Sequence, residues 1–524
     1  MCSQAKSSYV VYTLTASESN VCKMADTELN LRYLYFTFGS LVAFALMLYW
    51  CGTYRFSVLK TLGIPGPKPW PFLGNILEVH KFGGLHAMLL ENMKRYGKIF
   101  AVCLGRLPTI VITEPEVLKT ILVKEFASFR NRSDEVKPPR PLNCGLLAAR
   151  DNQWKRIRSI LSPSYTTGKM KQMIPLMDDA VNVLMKKLDE VADAEKSVEV
   201  VELFGKLTLD VILLTAFGIK TDIQTDPQSS VTKEAQKLFR RLWLTPYLSI
   251  FPCSSLLRRT IAFFRQGLTF FLGAATEIFE ERKKCTTEGR NDLIQLLLTA
   301  HDEPAAQGAS KLTDDEVIAQ LITFLLTGYQ PSSSTLAFTA YHLAMDSDVQ
   351  ERLRCEVEIA IQTYHDLPLY DIVHEIEYLD CVMNESMRRC PPFHIFNRKC
   401  EETCTISPGF TIPAGMEVTV PVYALHHDPE AWPDPDVYDP ERFRGPAKEA
   451  RHPFQFLPFG AGPRNCIGMK YAMMEIKVAL VRILRKFKFV RAPDTQEPLI
   501  LHSGVTLGPR DGIHLRVKRV KSLI

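Results

Sequence analysis

The sequence lacks any regular cysteine framework. Its 13 cysteines are odd in number and scattered, which argues against a disulfide-stapled scaffold and for a reduced, cytosol-facing protein. Cys400 and Cys404 lie close together, but no second pair at zinc spacing follows them. There is no block of basic residues and no basic patch interleaved with aromatics. With a net charge of only +5 over 524 residues, nucleic acid is not an expected partner. Between Gly83 and about residue 500 there is no internal repeat and no low-complexity linker. Length alone suggests roughly three domains of ~150 residues; the absence of a compositional break favours one.

One segment lacks charge altogether. Tyr33 to Cys51 holds no Asp, Glu, Lys or Arg, and at ~1.5 Å per residue it reaches roughly 28 Å, close to the hydrocarbon thickness of a bilayer. Tyr33, Tyr35, Tyr49 and Trp50 stand near its ends, where amphipathic rings favour the interface. Arg55, Lys60 and Lys68 follow it, whereas Lys23, Asp26, Glu28 and Arg32 nearly cancel before it. The positive-inside bias therefore expects a single-pass anchor with the bulk of the chain in the cytosol. No small-residue cleavage site follows, so the anchor is read as uncleaved. Residues 1–32 read as a polar tail, the first 24 disordered; 33–51 is the anchor. Residues 52–82 form a hinge, because Ile64-Pro-Gly-Pro-Lys-Pro-Trp-Pro71 places four prolines in eight residues, a stiff extended spacer. Residues 83–524 are the catalytic domain. A stretch at 242–264, apolar with basic shoulders, suits a membrane surface or a core-facing helix pair.

What is present is mostly helical periodicity. Helices are expected over Met170–Ala192, Ser310–Met345, Asp348–Tyr364 and Ile376–Arg389. Short strands are expected near Phe100–Thr113, Cys404–Ile412, Glu417–Pro421, Leu499–Leu501 and Gly512–Val517. The fold class is mainly α with small β-sheets in one large domain.

The most informative segment is Phe459-Gly-Ala-Gly-Pro-Arg-Asn-Cys466-Ile-Gly468. It reads as a glycine-rich loop that presents one cysteine and then enters a helix near Ile467. Gly460, Gly462 and Gly468 allow tight backbone and close approach to a flat partner. Arg464 and the helix N-terminus favour a thiolate, and a thiolate held this way is a ligand for haem iron. Glu385-Ser-Met-Arg388 puts an acid and a base on one helix face, and Pro440-Glu-Arg442-Phe443 offers a second arginine. Trp154-Lys-Arg-Ile-Arg158 places an indole and a guanidinium one turn apart, both good donors to carboxylates.

These motifs, in this order, identify the chain as resembling the cytochrome P-450 superfamily over about residues 30–520. The loop matches F-x-x-G-x-R-x-C-x-G at every fixed position. The resemblance implies haem b with Cys466 as axial ligand. Trp154, Arg158, Arg464 and Arg398 would meet the propionates, and Phe459, Gly468 and Gly328 would line the haem. Glu385, Arg388 and Arg442 would form a buried ion network that seats the loop. Many relatives carry a further arginine where this chain has Ile395. The distal helix of oxygen-activating relatives reads (A/G)-G-x-(D/E)-T; here Gly328 fits, but Gln330 replaces the acid and Pro331 the alcohol. Neither residue relays a proton. Either Ser332 or Ser333 supplies the hydroxyl, or no relay is needed.

The absence of a relay suits a substrate that already contains an O–O bond. The segments Ala424–Pro433, Leu457–Arg464 and Asp494–Gly512 resemble the thromboxane-A synthases, which implies an isomerase that rearranges prostaglandin H2 to thromboxane A2 without external electrons. Leu62–Pro67 and Trp154–Pro163 resemble instead the microsomal drug- and steroid-oxidising family. That implies an NADPH-dependent monooxygenase of steroids, lipids or xenobiotics. A partner reductase would dock on a basic face including Lys470, Lys477 and Arg451. A catalytically silent haem-binding protein is a third reading. All three expect a membrane-bound protein of the endoplasmic reticulum, the enzymes with a lipid-like small-molecule substrate. His426 and His427 are read as part of a surface turn, not as ligands.

Overall fold

The computed structural model describes residues 5–133, 138–226, 229–242, 261–284, 293–302, 311–406 and 409–520. Most of the apolar segment at 242–264 lies outside the described residues.

The chain opens with helix α1, Ala5–Thr53. The sequence reading expected disorder over the first 24 residues. No proline, and no glycine before Gly39, interrupts this stretch, so nothing stops the helix from running back from the apolar segment. The stretch Thr27–Thr61 is long and apolar enough to cross a membrane, and its large side chains, among them Phe36, Leu41, Leu46 and Trp50, are exposed. An exposed apolar surface of this extent is stable only when something apolar covers it. The proline segment then passes along the first sheet: the Ala101 amide donates to the Pro65 carbonyl. A Cβ on Gly66 would sit 2.0 Å from the Ala101 oxygen, so glycine is required for that approach.

The body is helical, with small sheets at one side. Helix α2 spans Leu85–Tyr96; strands β1, Ile99–Leu104, and β2, Leu107–Ile112, form an antiparallel hairpin. Helices α3, Asp151–Leu161, α4, Thr167–Ala194, and α5, Val200–Phe217, follow. Helix α6, Asp314–Met345, runs through the centre, with most of its side chains buried. It starts at a capping box in which Thr313 Oγ1 accepts from the Glu316 amide and Glu316 Oε2 accepts from the Thr313 amide. It continues without a break through Pro331, although that residue has no N–H to donate to the Thr327 carbonyl. Helices α7, Ser347–Thr363, and α8, Glu377–Arg389, pack on the same core.

Strands β3, Phe396–Lys399, and β4, Glu417–Val420, complete the first sheet in the order β1-β2-β4-β3, with only the β2–β4 pair parallel. Helix α9, Met469–Lys486, follows the cysteine loop and buries one face against α4, α6 and α7. Strand β5, Phe487–Arg491, continues directly from it; β6, Leu501–Ser503, and β7, Leu507–Pro509, form a hairpin; β8, His514–Arg519, pairs with β5 and with residues 198–199. The expected helices and strands are therefore present, with ends displaced by a few residues.

Candidate active site

The loop before α9 is built by its glycines. Gly460 and Gly462 have φ of +67° and +72°, a left-handed backbone that favours glycine. A Cβ on Gly462 would lie 1.9 Å from the Leu122 carbonyl oxygen. Gly468 has ordinary φ of −87° and caps α9, which begins at Met469 and not at Ile467. The loop closes through a Cys466 amide to Phe459 carbonyl bond of 2.9 Å.

Cys466 faces a cavity of about 470 Å³. Its side chain counts as exposed because it opens onto the cavity wall, yet protein surrounds it on all other sides. Burial pushes its thiol up, while the Gly468 amide, Arg158 and Arg132 pull the other way. Trp154, Arg158, Phe459, Arg464 and Gly468 line the same cavity, as do Gly328, Pro331 and Ser332 from α6 and Arg398 from β3. Glu385, Arg388 and Arg442, expected to seat the loop, lie off the cavity wall. Gln330 is also absent from the cavity wall, with its buried Oε1 unpaired. The helix turns it away, since a residue two before Ser332 points to another face.

Buried positive charge dominates one side of the cavity. The Nε atoms of Arg132, Arg398 and Arg464 are buried without partners among the described residues. Burial, with repulsion from Arg132 and Arg464, pulls Arg398 down to about 9. Burial, with Arg132 and Arg150 nearby, pulls Arg464 down to about 9. Burial also lowers Arg132 and Arg158. Converging buried cations are costly unless an anion joins them. Arg132 belongs to none of the motifs named above; the two arginines in Phe129-Arg-Asn-Arg132 are the available signal. Arg158 also braces the loop, donating to the Asn465 carbonyl and Oδ1 at 2.9 Å each. Arg464 lies 4.4 Å over the Trp154 ring.

The expected ion network is present, with Glu385 and Arg388 fully buried and Arg442 half-buried. Arg388 Nε and Nη2 donate to Glu385 Oε2 and Oε1 at 2.7 and 2.8 Å, and Arg442 Nε lies 3.6 Å from Glu385 Oε1. Arg388 Nη1 donates to the His426 carbonyl, and His426 Nε2 accepts from the Leu457 amide, two residues before Phe459. This corrects the sequence reading of His426 and His427 as a surface turn. Both are buried, and His426 links the ion network to the loop. Two of the expected docking cations are corrected as well. Lys477 is buried and paired with Asp380 at 2.8 Å, and Arg451 stacks over Trp432 at 3.9 Å; only Lys470 is exposed.

Gly328 has a different neighbour from the one expected. A Cβ there would meet Ile212 Cδ1 of α5 at 2.9 Å, so the glycine admits a cavity-lining side chain as well as opening the groove. Nor is the α6 wall dry. Thr323, Thr327, Ser332 and Thr335 all line the cavity.

A family model described as cytochrome P450 matches residues 64–516. The chain belongs to the cytochrome P450 family. It is 38% identical over 489 residues to cytochrome P450 3A2 of Rattus norvegicus, covering 92% of this chain and 96% of that one. It is 38% identical over 478 residues to cytochrome P450 3A14 of Cavia porcellus (90% and 94% covered), and 37% over 479 residues to cytochrome P450 3A11 of Mus musculus (90% and 94%). A cytochrome P450 carries haem b on a cysteine thiolate. The structure fits that group: a dianionic cofactor answers the unpaired Nε atoms of Arg132, Arg398 and Arg464, and a lone cysteine faces the same space.

Proposed function

We propose that the protein is a membrane-anchored monooxygenase of small apolar molecules, such as steroids, lipids or xenobiotics, supplied with electrons by an NADPH-dependent reductase. The observation that carries this reading is the Ser332 hydroxyl on the cavity wall, one residue beyond Pro331. It supplies the donor that Pro331 lacks. Similarity to the 3A proteins over nine-tenths of the chain supports the oxidising family over the thromboxane synthases. The exposed apolar helix supports an anchor in the endoplasmic reticulum membrane, and the cations that follow it support a cytosolic catalytic domain.

When bound, the haem supplies the activation of dioxygen and the insertion of one oxygen atom into the substrate. Cys466 would hold its iron as a thiolate ligand. Arg158, Arg398 and Arg464 would hold the propionates. Arg132 would stand in for the arginine that many relatives carry where this chain has Ile395, and Trp154 would pack under Arg464. Phe459 and Gly468 would flank the ring. Leu146, Leu147, Ile212, Phe324 and Val505 would orient an apolar substrate and exclude water. The ion network of Glu385, Arg388 and Arg442 would hold the loop through His426.

A second reading keeps Pro331 and Gln330 as evidence that no proton is delivered, and makes the protein an isomerase of prostaglandin H2. One experiment separates the two. Haem-loaded protein in lipid vesicles receives either prostaglandin H2 alone, or testosterone or arachidonate with NADPH and reductase. NADPH-dependent hydroxylated products, without thromboxane B2 from the first mixture, are the expected result. Turnover of prostaglandin H2 without NADPH would replace this reading with the isomerase. A cysteine-ligated haem spectrum without turnover in any mixture would leave the silent haem protein.

A further inference from the structure

Glu475 is a buried carboxyl that nothing above employs. It lies on α9, nine residues after Cys466, and is 2% exposed. Among the described residues, neither of its oxygens has a hydrogen-bond partner. Helices α9 and α6 pack against each other, and the Ser332 hydroxyl on α6, which lines the cavity, is the group whose influence opposes the burial of Glu475 without completing a bond. Tyr471, one turn earlier on α9, is the titratable group that responds to its charge, and Tyr471 Oη is held 2.6 Å from Thr215 Oγ1. No cation opposes the burial, and the carboxyl is pushed up to about 8, so it retains its proton at neutral pH.

Ser332 is distinctive on its own helix. Among the cavity-lining hydroxyls of α6, Thr323 donates to Ala319, Thr327 to Thr323 and Thr335 to Pro331, all to backbone carbonyls at 2.7 to 2.9 Å. Such back-bonding commits those protons to the helix. Ser332 has no such bond among those described, lines the cavity, and has Glu475 behind it.

We propose that Glu475 is the proton reservoir of this active site, passing its proton to Ser332 Oγ as Ser332 releases its own into the cavity. The inference rests on the monooxygenase reading. Converting a substrate C–H to C–OH consumes one dioxygen, two electrons from NADPH through the reductase, and two protons, and releases one water. Dioxygen is reduced, and substrate and NADPH are oxidised. Ser332 delivers both protons in turn, Glu475 refills Ser332 after each, and bulk water recharges Glu475 twice in every turnover. The acid absent at position 330 is thereby supplied from another helix.

The test uses full-length haem-loaded protein in vesicles. Infrared difference spectroscopy at pH 7 should show a protonated carboxyl band that disappears in Glu475→Gln and shifts in Ser332→Ala, irrespective of turnover. With NADPH, reductase and testosterone or arachidonate, Glu475→Gln should hydroxylate about 100-fold more slowly, with NADPH consumption diverted to hydrogen peroxide and Glu475→Asp partly restoring product. Ser332→Ala should behave alike, and the double variant no worse than either. If Glu475→Gln does not fold, the band shift and peroxide diversion of Ser332→Ala decide. A wild-type spectrum without the band, or an unchanged ratio of product to peroxide in the variants, would overturn the relay while leaving the monooxygenase in place. A wild type that yields no NADPH-dependent product would overturn the monooxygenase and the relay with it.

Discussion

At the scale of single residues, the site depends on charges that are buried together. Glu385 and Arg388 have no exposed side-chain surface and form two hydrogen bonds with each other. Removing one member leaves the other charged and unpaired, which costs about 3–5 kcal/mol. Glu385→Gln should therefore lower the thermal midpoint and release haem, read as loss of the Soret band on heating before the far-ultraviolet signal changes. A variant that unfolds and loses haem at wild-type temperature would show that the network does not support the loop. The cavity arginines make the opposite prediction. Arg398 and Arg464 repel one another without an anion, so Arg398→Gln should stabilise the haem-free protein and weaken haem binding. Melting both forms with and without haem checks the reversal of sign. Such residues were legible in the sequence because each sits at a fixed place in a motif. Arg132, His426 and Glu475 were not, because each takes its role from a partner distant in the chain. No local pattern announces a carboxyl without a counter-charge or a histidine that accepts from a distant amide.

At the scale of elements, helix α6 and the cysteine loop solve opposite problems. The loop requires backbone that only glycine supplies: Gly462 has φ of +72° and its missing Cβ leaves room for the Leu122 carbonyl. Gly462→Ala should displace the loop and lower haem content several-fold, whereas Gly468→Ala, whose Cβ would find nothing closer than Tyr165 Cε1 at 3.9 Å, should not disturb the apo fold. Helix α6 instead tolerates a residue that helices avoid. Pro331 leaves the Thr327 carbonyl without its helical donor, and interior proline costs about 3 kcal/mol. The cost is offset by burial of the helix against α5 and α9. Pro331→Ala should raise stability by roughly 1–3 kcal/mol, measured by chemical denaturation of the haem-bound form; an unchanged midpoint would mean that the helix has absorbed the proline without strain. The length of α6 was legible from its apolar run, since a helix buried all round needs no periodicity. The facing of Gln330 was not: assigning it to the site followed motif position, whereas the geometry of α6 places Ser332 on the wall and Gln330 off it.

At the scale of the whole molecule, buried titratable groups set the pH range in which the fold is stable. Burial lowers His86 to about 4 and His394 and His426 to about 3, and lowers His342 and His427 well below their ordinary value. They are distributed from α2 and α6 to the segment beside the cysteine loop, so no single element escapes. In the unfolded chain each takes up a proton near pH 6.5, whereas in the folded chain each stays neutral. Stability is full above that value and is lost as pH falls from about 6.5 towards 3, because the unfolded state binds more protons. Glu475 acts in the other direction. Its folded value of about 8 exceeds the ordinary carboxyl value of 4.5, so its contribution is complete below 4.5 and is lost as pH rises through 8. Burial also lowers His502 and raises Glu385, so the histidines still outnumber the carboxyls, which places the maximum near pH 6.5, with a steep acid limb and a shallow alkaline one. Thermal midpoints from pH 4.5 to 9 should trace this asymmetry. Glu475→Gln should flatten the alkaline limb and His394→Asn should remove one proton's slope from the acid limb, even though the latter lowers every midpoint by loosening the packing around His86. Equal slopes on the two sides, or an alkaline limb that Glu475→Gln leaves unchanged, would show that the proton on Glu475 is not one the fold retains.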